Sequence, residues 1–280
     1  MSRRKRAKAD GGGAEASPPR RSRRPFLLLG LAAVAVLAAF ALGAFLLVPR
    51  GGGEQDAPRA KTAVIIDQLS LTFPNPEWAA RARALLANGG YHADYFYGDQ
   101  VTVDFLRELP ARGYDLIVFR THSGMVRRVD RETGESESQG FIALFTNEPY
   151  DGVAHLEEQQ QQRLGKSYYT RGGDALFSIQ PEFIERSMKG KFDGAVILIM
   201  GCEGLRTERT AQAFLNKGAS AVVSWSDSVS AEHTDAATEL LLDKLRDPRV
   251  RLEDVVAQTA AEMGPDPFYG AELRMLAKGG

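Results

Sequence analysis

Cysteine is nearly absent: Cys202 is the only one in 280 residues. No internal disulfide can brace such a chain, so its folded part must depend on an ordinary apolar core. Histidine is also scarce. His92, His122, His155 and His233 are scattered without close cysteine or carboxylate spacing, which argues against a zinc site. A phosphate-cradling glycine loop is missing too, since neither Gly172-Gly173 nor Gly201 to Gly204 is followed by Lys and Ser or Thr. Neither a metal nor a cofactor is expected. Most of the chain also lacks a cationic surplus. Nine of the 35 Lys and Arg residues precede residue 25, and beyond it 26 basic residues face 34 acidic ones, a net charge of about −8. Nucleic acid needs a concentrated cationic face and is excluded as a partner.

One long apolar run is present. Phe26 to Val48 carries no charged or strongly polar side chain, and about 20 such residues at roughly 1.5 Å each match a hydrocarbon core of about 30 Å. A cleaved signal peptide and a buried core helix are its rivals, but a signal core is usually only about 7 to 15 residues and precedes a small-residue cleavage site. Here Pro49-Arg50 ends the run directly. The expectation is a retained single-pass helix over residues 25 to 49. The cationic flank lies before it, so the positive-inside rule places the N-terminus in the cytoplasm and the rest of the chain outside the plasma membrane. Residues 1 to 24, rich in Arg, Gly, Ser and Pro, cannot bury enough surface to order. Gly51 to Lys61 reads as part of a flexible linker over residues 50 to 61.

From residue 62 to 280 the pattern alternates. Thr62 to Asp67 (TAVIID), Tyr114 to Arg120 (YDLIVFR), Ala195 to Met200 (AVILIM) and Ala219 to Trp225 (ASAVVSW) are short apolar runs, as expected of strands buried on both faces of a parallel sheet. Tyr91 to Gly98 alternates like a further strand. Helical spacing marks Glu77 to Asn88, Val101 to Leu109, Thr207 to Asn216, Ala231 to Arg246 and Leu252 to Met263. This predicts an α/β fold, a doubly wound, mostly parallel sheet with helices on both faces. Residues 125 to 190 interrupt it. There MVRRVD and FIALFTNE flank a polar ETGESESQ, suggesting an inserted hairpin, followed by a polar helix over residues 153 to 163 and an irregular loop from Gly165 to Ser178.

Ligand sites in open α/β sheets gather at the carboxyl ends of strands. Two strand ends carry reactive side chains: LIVFR runs into Thr121-His122-Ser123-Gly124, and AVILIM into Gly201-Cys202-Glu203-Gly204. If the two strands are neighbours, an imidazole and a thiol share one crevice, the pairing a cysteine nucleophile requires. Gly124, Gly201 and Gly204 suit tight turns and close substrate approach, and the amides around Cys202 are candidate oxyanion donors.

The stretches LIVFRTHSG and AVILIMGCEG, followed by AQAFLNKGASAVVSW, resemble the caspase-like superfamily of cysteine peptidases (clan CD), which includes caspases, legumains, gingipains and separases. The resemblance covers Thr62 to Trp225. It implies His122 as general base or acid and Cys202 as nucleophile. Two departures stand out: Ser123 where a glycine commonly follows the histidine, and Gly201 in place of the usual alanine. The resemblance further implies a substrate pocket shaped by the loops after the cysteine strand and the next one, where Glu203, Trp225 and Asp227 lie. A carboxylate there would select Arg or Lys before the cleaved bond. His92 and His233 are read as surface or packing residues and His155 as solvated.

These readings lead to a membrane-anchored cysteine endopeptidase acting on a peptide or protein substrate. A catalytically silent domain of the same fold, binding a peptide or protein partner at the cell surface, is the alternative. A flavodoxin-like small-molecule module would explain the alternation but not the paired strand ends.

Overall fold

The computed structural model describes residues 59–279 apart from Arg131 and Arg171. The apolar run Phe26 to Val48 and the expectations resting on it lie outside the described residues, among which no helix is long and apolar enough to cross a membrane.

The main sheet takes its strands from the apolar runs. They are β1 (Lys61–Asp67), β2 (Tyr91–Tyr97), β3 (Leu116–Arg120), β8 (Val196–Ile199), β9 (Ala221–Trp225) and β10 (Leu273–Ala277), in the order β10-β9-β8-β3-β1-β2. All neighbours run parallel except β10, which pairs antiparallel with β9. Successive residues of each central strand enter different cores. Val64, Ile66, Ile117, Phe119, Ile197, Ile199 and Val222 face one side, while Ala63, Ile65, Leu116, Val118, Leu198, Val223 and Trp225 face the other. That two-sided burial explains why these segments are apolar throughout rather than alternating.

Helices cover both faces. On one side lie α1 (Pro76–Asn88), α5 (Ala231–Lys244) and α6 (Leu252–Met263), burying Trp78, Leu86, Leu241 and Val255. On the other lie α2 (Val103–Glu108) and α4 (Arg209–Asn216), burying Val103, Leu106, Ala211 and Phe214. Local chemistry sets their starts. Asn75 Oδ1 accepts the Trp78 N–H at 3.0 Å and Pro76 occupies the first turn of α1, while Thr102 Oγ1 accepts the Phe105 N–H at 3.1 Å in α2.

The inserted segment is more ordered than its sequence suggests. The hairpin β4 (Ser123–Val129) and β5 (Ser136–Pro149) is joined by β6 (Leu164–Ser167) and β7 (Leu176–Ile179) into an antiparallel sheet of order β4-β5-β7-β6. The expected loop from Gly165 to Ser178 is therefore corrected to parts of two strands around a turn. A stretch such as LGKS has no β-branched or aromatic residue to announce a strand; it pairs with the next strand, Ser167 opposite Leu176. The polar helix shrinks to α3 (Leu156–Gln160). Ile142, Leu144, Leu164, Phe177 and Ile179 insert this sheet into the core shared with α2 and α4.

Candidate functional site

Strands β3 and β8 lie side by side and parallel, with Phe119 opposite Ile199. The ladder persists to the turn, since Met200 N–H donates to the Phe119 carbonyl at 2.7 Å. His122 and Cys202 thus leave the sheet at adjacent strand ends, and both border one cavity of about 310 Å³ whose wall includes Leu69, Phe73, Val229 and Tyr269.

Ser123 and Gly201 complement each other. A Cβ on Gly201 would lie 2.2 Å from the Thr121 carbonyl oxygen and 2.6 Å from Ser123 Oγ, so no side chain fits. Ser123 Oγ fills that space and donates to the Cys202 carbonyl at 2.6 Å, tying the two turns together. Gly204 is equally confined, its Cβ position being 2.0 Å from Ser224 Oγ, whereas Gly124 is open apart from Glu203 Oε2 at 3.8 Å.

Glu203, Asp227 and Trp225 do not border the cavity. Glu203 adopts a left-handed backbone, φ 63°, uncommon for a residue with a side chain. It is held there by three contacts: its N–H donates to the Asp227 carbonyl at 2.9 Å, Oε2 accepts the Met125 N–H at 2.7 Å, and Oε1 accepts from Arg206 Nη1 at 2.6 Å. Arg206 also reaches Asp227 Oδ1 at 3.0 Å. The two carboxylates are thus already bound to the guanidinium of Arg206, which is itself exposed. Trp225 is wholly buried because β9 lies inside the sheet, and its indole N–H donates to Thr234 Oγ1 at 2.9 Å.

His122 is enclosed by rings. Phe73, Phe145 and Tyr169 lie 5.8, 5.9 and 5.6 Å from it, the last in a parallel stack. Its Nε2 is 3.0 Å from Thr72 Oγ1. Burial, with the Arg120 charge adding to it, lowers the imidazole to about 4. Burial likewise raises the Cys202 thiol, and the Glu203 carboxylate adds to the effect. The thiol points to the Val229 carbonyl, 3.7 Å away. At neutral pH the pair is a thiol and a neutral imidazole, each hydrogen-bonded elsewhere.

The support beneath His122 escapes the sequence reading. Gln68, at the end of β1, accepts the His122 N–H at 2.8 Å and donates to Asn147 Oδ1 at 2.8 Å. Arg120 is only 1% exposed. It donates to Asp67 Oδ1 at 2.8 Å, to Asp235 Oδ1 and Oδ2 at 2.7 and 2.9 Å, and to the Phe73 carbonyl at 3.0 Å. The strand-end rule that singles out His122 and Cys202 applies equally to β1 and would have found Asp67 and Gln68. Nothing local marks Asp235.

His155 is corrected from solvated to half-buried: its Nε2 lies 2.7 Å from Glu148 Oε1 and its ring packs edge-on to Phe177. His233 packs on Trp225 at 5.2 Å, and His92 is exposed. Among the described residues no three His, Cys, Asp or Glu side chains converge to hold a metal ion.

No protein-family model matches the chain, and no curated protein matches it significantly.

Proposed function

We propose that the chain is a caspase-like cysteine endopeptidase, with Cys202 as nucleophile and His122 as proton carrier, anchored through Phe26 to Val48 with its α/β domain outside the plasma membrane. One observation carries the reading: neighbouring parallel strands deliver an imidazole and a thiol to the same cavity. The two strand-end turns are the stretches on which the superfamily resemblance rests.

The chemistry follows from the resting protonation. A peptide seated in the cavity displaces water, and the neutral imidazole accepts the Cys202 proton as sulfur attacks the carbonyl carbon. The resulting oxyanion needs donors. The Cys202 N–H has no partner among the described residues, whereas the Glu203 N–H is taken by Asp227; the former is the proposed donor. His122 then returns the proton to the leaving amine, and water hydrolyses the thioester. The basic preference considered from Glu203 and Asp227 is not retained, because Arg206 already holds both carboxylates. An apolar residue before the cleaved bond suits the wall of Leu69, Phe73, Met200, Val229 and Tyr269, which also carries the Glu232 carboxylate.

The silent, partner-binding reading is favoured by a different observation: imidazole and thiol each bond to another group, Thr72 and Val229, rather than to each other. Labelling of the full-length chain in detergent with peptidyl acyloxymethyl ketones separates the two. A Leu probe should modify Cys202 faster than Arg, Asp or Asn probes, and His122→Ala should abolish modification. A folded protein with a titratable thiol that no probe labels would shift the assignment to the silent domain.

A further inference from the structure

His122 borders a second cavity that Cys202 does not. It measures about 560 Å³ and lies over one face of the antiparallel sheet, lined by residues that include Arg127, Lys166, Ser167, Tyr169 and Gln180. A shallower cavity of about 290 Å³ continues it, sharing Val126, Arg127 and Gln180 and adding Arg128, Gln159 and Gln162. The two together form a groove that starts at the imidazole and runs along the inserted sheet.

Three features of this groove point to a ligand. No Asp or Glu lines either cavity, although acidic residues predominate beyond residue 24. Arg127, Arg128 and Lys166 are exposed and none is ion-paired with a described carboxylate, although Lys166 Nζ lies over the Tyr150 and Tyr168 rings at 4.8 and 5.5 Å and Arg128 stands opposite Glu137 in the hairpin; Arg127, which borders both cavities, is the least engaged of the three. Gln180 is only 8% exposed, yet its amide, which borders both cavities, has no hydrogen-bond partner among the described residues. The amide keeps contact with solvent rather than being sealed inside the protein, so it is free to exchange that water for a ligand group. Here it faces the groove.

Direction follows from the proposed reaction, on which this inference rests. The acyl part of a peptide must lie where sulfur attacks, in the cavity lined by both His122 and Cys202. The leaving amine must lie where the imidazole can protonate it, toward the cavity lined by His122 alone. We infer that the groove of Arg127, Arg128, Lys166 and Gln180 receives an acidic, extended peptide segment on the leaving side of the cleaved bond. The two adjoining volumes, about 560 and 290 Å³, exceed what a single small anion fills and favour several consecutive residues, and the charge favours carboxylates.

The test uses the full-length chain with Cys202→Ser, in detergent, so that binding is read without turnover. A fluorescein-labelled peptide with leucine followed by four residues containing two glutamates is compared, by polarisation, with its Glu→Gln counterpart and with free glutamate as competitor. The acidic peptide should bind more tightly by about fivefold or more, the size expected of one or two exposed ion pairs. The difference should shrink as salt rises and vanish in Arg127→Ser/Lys166→Ser, whose fold is verified by circular dichroism. Equal binding of the two peptides, a preference that survives the double substitution, or full competition by free glutamate at comparable concentration would overturn the inference. If the parent chain cleaves both peptides while Cys202→Ser binds them equally, the peptidase reading stands and the groove assignment falls. A preference in a chain that cleaves neither leaves the groove and removes the enzyme.

Discussion

At the residue scale, His122 carries the sharpest predictions. Its imidazole is held near 4 by burial and by Arg120, against about 6.5 when unfolded. The unfolded chain therefore binds the proton first as pH falls. The stabilising contribution of the neutral imidazole is complete above about pH 6.5 and is lost progressively between there and about pH 4. NMR titration should show the His122 ring half-protonated near pH 4, and the acid limb of Cys202 labelling should fall there too; a midpoint near 6.5 would mean that the ring is not enclosed. Gly201→Ala is the second case. The added methyl meets a backbone oxygen, not a flexible side-chain end, so the turn must shift. Urea unfolding should reveal a loss of about 1–3 kcal/mol, and Cys202 labelling should weaken in parallel. A variant as stable and reactive as the parent would show that the turn has slack. Both residues were legible as candidates, because each stands at the end of an apolar run. The protonation state of His122 was not, since it depends on Phe73, Phe145, Tyr169 and Arg120, which are assembled from four segments.

At the element scale, the buried charge cluster joins β1, β3 and α5 through Asp67, Arg120 and Asp235. It also supports the Thr72-Phe73 turn through the Phe73 carbonyl. Asp235→Ala leaves the Arg120 guanidinium short of two hydrogen bonds in a site that is 1% exposed. Breaking a buried pair on one side costs about 3–5 kcal/mol, so chemical denaturation should show a loss of that order. A change below about 1 kcal/mol would indicate that water reaches the cluster. The central strands announced themselves, being buried on both faces. Strands β6, β7 and β10 did not: LGKS and LRMLA have mixed composition, β6 and β7 pair with each other across a short connection beside β5, and β10 becomes a strand by pairing Leu273 with the distant Trp225.

At the scale of the whole molecule, the cores formed by the described residues run from Ala63 to Leu276, and they share the same central strands. They should not unfold separately. A fragment of residues 59 to 280 should fold alone and melt in one transition, with circular dichroism and tryptophan fluorescence coincident. Two separated transitions would mean that the inserted sheet is an independent unit. What the sequence by itself determined was the alternation of apolar strands and amphipathic helices and the placement of an imidazole and a thiol at strand ends. These are local or additive properties, readable from period and composition. Only the tertiary structure decided that β3 and β8 are neighbours, that Arg206 holds Glu203 and Asp227, that Arg120 is caged beneath the histidine, and that a cationic groove opens on its far side. Each of those depends on segments far apart in the chain meeting in space, and no local pattern encodes the meeting.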